Sequence, residues 1–309
     1  MTGAPVPGML DVVIQVEQSR LSGGMVELAG PGVCKFLNIH RMGADAKKGA
    51  LLLKKGAVLS PRNIAVASSV GAVRLAVSRP IRVAVVSTGR ELVPAAATPS
   101  PSGIRDSNSP FLMARLKTIP WINASFAGIV KDDPRKLETI LAAALEKNDM
   151  VILSGGVSMG DADHTPAVLE RLRVKNIFHK SAIRPGKPIW FGTSGKKAVF
   201  GLPGNPVSVG ATFHEFALPA LKKMAGISDP HVRVLYLPLG ATAKKSHPLR
   251  EFRVARLVDG GAAVSPVETY QGSGDFVSAS QSDGLIVIPE DRCEMPAREI
   301  VEFHPWDMP

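Results

Sequence analysis

DMVILSGGVSMGDADHT, Asp149–Thr165, is the stretch whose reading decides the fold. Its apolar run Met150–Leu153 has the composition of a buried parallel strand. Ser154-Gly155-Gly156 follows, where a side chain would crowd the backbone or forbid positive φ. Gly160, Asp161 and Asp163 come next, and Thr165-Pro166 reads as the N-cap and first position of a helix. Strand, glycine turn, acidic loop and helix start are how α/β proteins build anion and metal sites. Free backbone N–H groups hold phosphate or another oxyanion, and carboxylates hold a hard cation such as Mg²⁺ against it.

The same grammar extends upstream and downstream. Ile81–Ser87 is a second buried strand running into Thr88-Gly89. An irregular linker, 94–102, precedes Asp106-Ser107-Asn108, which caps a helix to about Lys117. Ala124–Val130 is a third strand, and Asp132-Asp133-Pro134 caps a helix to about Lys147 with Leu137, Leu141 and Leu145 on one face. A helix from Thr165 to about Arg173 leads to a strand at Ile177–Ala182 and the turn Ile183–Pro188. Ala198–Phe200 is a last short strand before GLPGNP, where Asn205 and Pro206 start a long helix closed by Gly226. This alternation over 81–228 predicts a three-layer α/β domain on a largely parallel sheet.

The flanks differ. Residues 1–80 read as a partial β-rich domain, with a strand at Asp11–Glu17, a hairpin around Lys54-Lys55-Gly56 and a short helix at Asn63–Val70. Residues 229–309 read as a small β barrel, with strands near Val232–Leu237, Phe252–Leu257, Ala263–Pro266, Gly284–Ile288 and Ile300–Phe303.

Composition bounds the partners. The chain has 309 residues and a formal charge of +10, from 37 Lys+Arg against 27 Asp+Glu. The basic residues form no single block and aromatic residues are few, so an anionic small substrate explains the charge and nucleic acid is not expected. Cys34 and Cys293 have no metal spacing and suit a reducing compartment. No apolar run approaches a membrane span and no signal pattern opens the chain, so a cytoplasmic protein is expected.

Every glycine turn of the α/β region follows a strand, so all should gather along one sheet edge, where open α/β folds bind ligands. Glu91, Asp106, Asp132, Asp161, Asp163, Lys180, Arg184 and Lys187 lie near it. Asp106 and Asp132 serve equally well as plain helix caps, Lys180 and Lys187 as solvated charge, and His164 as a polar loop residue. No Ser-His-Asp set can be nominated.

SGGVSMGDAD, RPGKP and GLPGNPVS, in this order, closely resemble the MoeA-type molybdenum insertase family, which includes the C-terminal part of gephyrin. TGAPVP, VEQS, NIHRMGAD, STGREL, IRDSN, the 132–134 DDP and QGSGD at 271–275 extend the resemblance over nearly the whole chain. The resemblance implies a transferase of molybdenum cofactor biosynthesis. It takes adenylylated molybdopterin and molybdate, with Mg²⁺, and gives the molybdenum cofactor and AMP. It also implies a homodimer whose site lies between the α/β domain of one subunit and the N-terminal β domain of the other. Carried over by motif, Glu91, Asp132 and Asp163 are metal-holding acids. Lys180 and Arg184 are catalytic cations, and Asp45 reaches in from the partner subunit. Molybdopterin contacts fall on Thr88, Gly89, Asp106, Ser107, Asn108, Ser154, Gly155, Gly156, Ser158, Gly160, Pro185, Gly186, Lys187, Pro203, Gly204, Asn205 and Ser273.

The departures are specific. The family carries an upstream SAMDGYA-like motif and a helical dimerisation segment, and this chain starts after both. STGREL has Arg90 where the family usually has Asp, and Arg184 stands for the usual Lys of KPGKP. The family tends to place Arg two residues after the Phe at 252; here Arg253 is one residue early, and strand alternation points it to the other face. Two further readings stay open: a catalytically weakened molybdopterin-binding paralogue or fragment, and a molybdopterin adenylyltransferase. The flanking β regions argue against the adenylyltransferase.

Overall fold

The computed structural model describes residues 2–29, 32–131, 133–157 and 164–306. Its contacts divide the chain into two units, 1–55 with 59–73, and 56–58 with 74–309.

In the smaller unit, β1 (Ser19–Ser22) and β2 (Met25–Leu28) form an antiparallel hairpin. Gly23 and Gly24 turn it with φ of 59° and 82°, the positive pair that a tight hairpin turn demands. Helix α1 (Pro61–Ser69) starts from a capping box in which the Ser60 hydroxyl accepts from Asn63 N and the Asn63 side chain accepts from Ser60 N. The strand expected at Asp11–Glu17 is absent: 11–15 is irregular and Val16–Gln18 is a 3₁₀ turn. The Gly-Gly signal, not the short apolar run, decides the pairing. The hairpin expected around Lys54-Lys55-Gly56 is a turn without flanking strands.

In the larger unit, β3 (Ile81–Thr88) is followed by β4 (Leu92–Val93) and β5 (Ile104–Arg105), which pair with each other. Then come α2 (Asn108–Lys117), β6 (Ile122–Val130), α3 (Pro134–Lys147), β7 (Met150–Ser154) and α4 (Thr165–Arg171). They are followed by β8 (Lys175–His179), β9 (Ile183–Arg184), β10 (Trp190–Ser194) and β11 (Lys197–Leu202). A continuous helical rod closes the series, formed of α5 (Pro206–Thr212), a π turn (Phe213–Ala217) and α6 (Leu218–Met224).

The sheet order is β6-β3-β7-β11-β10-β8, parallel through β11 and antiparallel for the last two pairings. Alternation splits its side chains between two cores. Val83, Val85, Met150 and Ile152 pack with Leu112, Leu116, Phe213 and Leu221 of α2 and the rod. Ala84, Val86, Val151 and Leu153 pack with Leu137, Leu141, Val168 and Leu169 of α3 and α4. Each fully buried leucine among these contributes about 2 kcal/mol of transfer free energy. Two faces covered by helices make the three layers. β10 was not expected from the sequence; its glycine at 192 hides a five-residue strand. Ile177–Ala182 was expected as one strand, but β8 runs Lys175–His179 as the sheet's antiparallel edge.

At the far end of the sheet, Asp149 accepts from Arg79 Nη1 and Nη2 at 2.7 and 2.8 Å and from Arg82 N at 2.9 Å. These donors, Arg79 foremost, hold its carboxyl well below the usual range.

The rest is β12 (Leu235–Pro238), β13 (Ala243–Lys244), β14 (Arg250–Val258), β15 (Ala263–Pro266), the one-turn α7 (Phe276–Ala279), β16 (Gly284–Ile288), β17 (Glu294–Met295) and β18 (Ile300–Pro305). The path β12-β18-β16-β14-β15 is antiparallel. A Leu239–Val264 bridge, with Gly240 N donating to Val264 O, returns it to its start and closes the barrel. Leu239, Val264, Ile286, Val301 and Phe303 fill it.

The α/β layer and barrel are joined by backbone and by charge. β9 pairs in parallel with β14, setting Ile183 opposite Arg250 and Arg184 opposite Glu251. Arg115 Nη2 donates to Trp306 O at 2.6 Å, and His304 Nδ1 lies 2.9 Å from Glu215 Oε1.

Candidate functional site

A cleft of about 1460 Å³ runs along the C-terminal ends of the parallel strands. Thr88 ends β3 and Gly89 follows it, Lys131 follows β6, Ser154 ends β7 and Gly155-Gly156 follow it, and Pro203–Asn205 follow β11. The barrel supplies the opposite wall with Lys244, His247, Glu251, Arg253, Tyr270 and Ser273.

The strand-end turns are locked together by buried polar groups. Asn108 Nδ2 donates to Ser154 Oγ at 2.8 Å and to Gly204 O at 2.7 Å, so one amide ties three turns. Asp106, 4 % exposed, accepts from Asn108 N and Ser109 N at 3.0 Å and from Ser87 Oγ at 2.8 Å. Of the expected cap Asp106-Ser107-Asn108, it is Asp106, one residue before the N-cap position, that caps α2, while Ser107 makes no side-chain cap bond. Asp106 therefore builds the site rather than offering a free carboxylate.

Gly155 and Gly156 have φ of 82° and 66°. A Cβ at Gly155 would strike Thr88 O, and one at Gly156 would strike the hydroxyls of Thr88 and Thr165. No other residue fits there.

Two expected caps work differently. Thr165 is the first residue of α4 and His164 precedes it without a side-chain cap bond. Asn205 occupies the N-cap position of α5, but its amide donates to Ser273 Oγ at 2.8 Å instead of capping. Val207 N also donates to Ser273 O at 3.0 Å, so QGSGD is stitched to the start of α5.

Of the expected site residues, Thr88, Gly89, Glu91, Asp106, Ser107, Asn108, Ser154, Gly155 and Gly156 line the cleft. So do Arg184, Pro185, Gly186, Lys187, Pro203, Gly204, Asn205 and Ser273. Lys180 does not: it is exposed in a positive-φ turn after β8, and its N–H donates to Ile189 O. Asp45 belongs to the smaller unit, where its carboxylate lies 3.2 Å from His40 Nε2. Asp132, Ser158, Gly160, Asp161 and Asp163 lie outside the described residues.

Apart from Ser273, the sequence reading missed the barrel wall. His247, Glu251 and Tyr270 carry no motif spacing, and the β9–β14 pairing sets Glu251 at the sheet edge. Burial, then the Glu251 charge, pushes the Tyr270 phenol up to about 12, so it faces the cleft as a neutral hydroxyl. Asp133 also lines the cleft, but its carboxylate accepts from Arg135 N and Lys136 N, and the Lys136 N–H foremost lowers its pKa.

The free charges are mostly cationic. Among the described residues the side chains of Arg184 and Lys187 have no hydrogen-bond or ion-pair partner, and neither does the exposed carboxylate of Glu91. Mg²⁺ keeps several waters and takes one or two carboxylates together with phosphate oxygens. Glu91 at the rim of a cation-lined cleft fits that donor set. No group of three His, Cys, Asp or Glu that could hold a metal occurs among the described residues.

The fold and cleft define an α/β protein with a cation-lined cleft at its strand ends. Residues 84–223 match the probable molybdopterin binding domain, 1–71 the MoeA N-terminal region (domain I and II), and 236–306 the MoeA C-terminal region (domain IV). The chain is 34 % identical to the molybdopterin molybdenumtransferase of Haemophilus influenzae over 99 % of its own length and 76 % of that protein's. It is 34 % identical to that of Synechococcus elongatus, over 98 % and 74 %. The MoeA molybdopterin biosynthesis protein of Pyrococcus horikoshii superposes with a TM-score of 0.74 at 31 % identity, covering 98 % of this chain and 74 % of that one. The chain belongs to the molybdopterin molybdenumtransferase family, transferases of molybdenum cofactor biosynthesis. No helix among the described residues is long and apolar enough to cross a membrane.

Proposed function

We propose that this chain transfers molybdate into adenylylated molybdopterin, releasing AMP, in a Mg²⁺-dependent step. The observation that carries the reading is the cleft itself: glycine turns at the ends of parallel strands, facing unpaired Arg184 and Lys187 across from Glu91. The phosphate groups of the substrate would lie against the Gly156 N–H, since Gly155 N donates to Leu202 O and Val207 N to Ser273 O. Arg184 offers a planar fork for an oxyanion and Lys187 a mobile point charge. Together they stabilise negative charge where the phosphoanhydride is cleaved and AMP departs.

Glu91, with Asp132 and Asp163, would hold Mg²⁺. The ion supplies neutralisation of the leaving phosphate. Asn108 and Asp106 keep the turns in register, so the N–H groups need no rearrangement when substrate arrives. The Tyr270 hydroxyl can donate to an anionic ligand without ionising. Asp45 would act from the partner of a homodimer, and the protein would work in the cytoplasm. Residues 1–80, 81–228 and 229–309 serve as partner-reaching, pterin-binding and cleft-closing parts.

One observation favours a second reading, a molybdopterin-binding protein with weakened turnover. Arg90 places a cation next to the carboxylate that would hold Mg²⁺ and shares a small pocket with it and Lys131. Tight binding of adenylylated molybdopterin without AMP release would favour it. Turnover that requires both molybdate and Mg²⁺ would favour insertion.

A further inference from the structure

We propose that Glu251 is a positioning residue that aims Arg253 from the barrel wall into the cleft; the proposal rests on the insertion reading above. A carboxylate with only 7 % residue exposure is costly unless it is fully paired. Each of its oxygens has its own donor. Oε1 accepts from Arg253 Nε at 2.7 Å, and Oε2 lies 3.0 Å from His247 Nε2. Leu249 N–H approaches His247 Nδ1 at 3.4 Å, which leaves Nε2 as the ring nitrogen that meets Glu251.

Arg253 is clamped a second time, Nη2 donating to Lys244 O at 2.6 Å. The two bonds use one edge of the guanidinium. Nη1 is left without a partner among the described residues, on a side chain that borders the cleft. The backbone is equally constrained. Phe252 and Val254 are buried in the core shared with Ile183 and Val207, which forces Glu251 and Arg253 onto the opposite face together. Glu251 is also the residue set opposite Arg184 by the β9–β14 pairing. One strand pair thus fixes two arginines, one from each wall. Glu251 brings a negative charge near an anion site, but that charge is committed to Arg253 and held by His247. Its effect is to remove the rotamer freedom that a free arginine would lose on binding.

The test uses the full chain with Glu251→Gln, Arg253→Lys, Arg253→Ala and the Gln/Ala double variant. The first readout is the Arg253 Nε–H resonance. Wild type should show a downfield, slowly exchanging proton that Glu251→Gln releases. The second is a split of KM for molybdate from kcat. Glu251→Gln should raise KM about tenfold with kcat within about twofold. Arg253→Lys, which keeps the charge and loses the Nε donor, should do the same, and the double variant should be no worse than Arg253→Ala. A free-arginine resonance in wild type, an unchanged KM in Glu251→Gln, or additive losses in the double variant would overturn the proposal. Should Glu251→Gln fail to fold, Arg253→Lys with wild-type KM overturns it alone. A wild type without turnover but with the protected Nε–H sinks the insertion reading and supports the aiming of Arg253.

Discussion

Asn108 reaches Ser154 through a 2.8 Å hydrogen bond that joins the start of one helix to the end of the central strand. The same amide nitrogen holds Gly204 O, so removing it leaves the buried Ser154 hydroxyl and the exposed Gly204 carbonyl without this donor. Asn108→Ala is therefore expected to cost about 2 kcal/mol and to raise KM for pterin substrate. Chemical denaturation and steady-state kinetics check both. A change in stability without a change in KM would show that the turns are not set by this residue.

Gly156→Ala tests the close approach of the turn to Thr88 and Thr165. The added methyl meets both hydroxyls while φ is 66°, a region that costs an L-residue about 1–2 kcal/mol before any clash. A Tm drop of several degrees with loss of molybdopterin binding is expected.

Asp149 stabilises the end of the sheet opposite the cleft. Its folded pKa is depressed, so its contribution is present above the ordinary carboxylate range and is lost as pH falls below about 4. Asp149→Asn should cost about 2 kcal/mol at neutral pH, the exposure of both arginines having been discounted. The variant should also show a flatter stability profile below that pH. Because the residue is remote from the cleft, kcat at 25 °C should be unchanged.

His214 adds acid sensitivity above pH 4. Its ring is 4 % exposed, neither nitrogen has a hydrogen-bond partner, and Trp306 packs edge-on against it. Burial, then the charges of Arg115, His304 and Lys222, lowers its pKa to about 3. The unfolded chain binds the proton at about 6.5. Stability is therefore complete above that pH and falls by up to about 1.4 kcal/mol per unit as pH drops toward 3. His214→Phe should be close to neutral at pH 7 and lose much less stability between pH 6 and 4. Thermal melts across that range decide it.

The sequence shows the α/β layer plainly because strand composition, caps and turns agree there: Ile81–Ser87, Met150–Leu153 and the leucine face of α3 each fall where their patterns place them. It shows the strand-end site for the same reason, since a parallel strand followed by glycine leaves its turn at one edge. Other features are set by contacts far along the chain. Trp190–Ser194 pairs as a strand because β8 and β11 enclose it, not because of its own residues. Asn205 has a cap's spacing, yet its amide is claimed by Ser273, 68 residues on. Lys180 sits in a cation-rich motif, but a positive φ turns it out of the cleft wall. Glu251 is invisible as a site residue until β9 pairs with β14. Alternation puts Arg253 on the face opposite Val254, as expected, but that face is the cleft wall, so the shift of the arginine by one residue does not turn it away from the site.

The most direct measurement is AMP release from adenylylated molybdopterin by the purified chain, with molybdate and Mg²⁺ each present or withheld. Insertion predicts release and active cofactor only when both are present, and a loss of at least tenfold in Glu91→Gln and in Arg184→Ala. Release that ignores molybdate, or is unchanged in both variants, would contradict it.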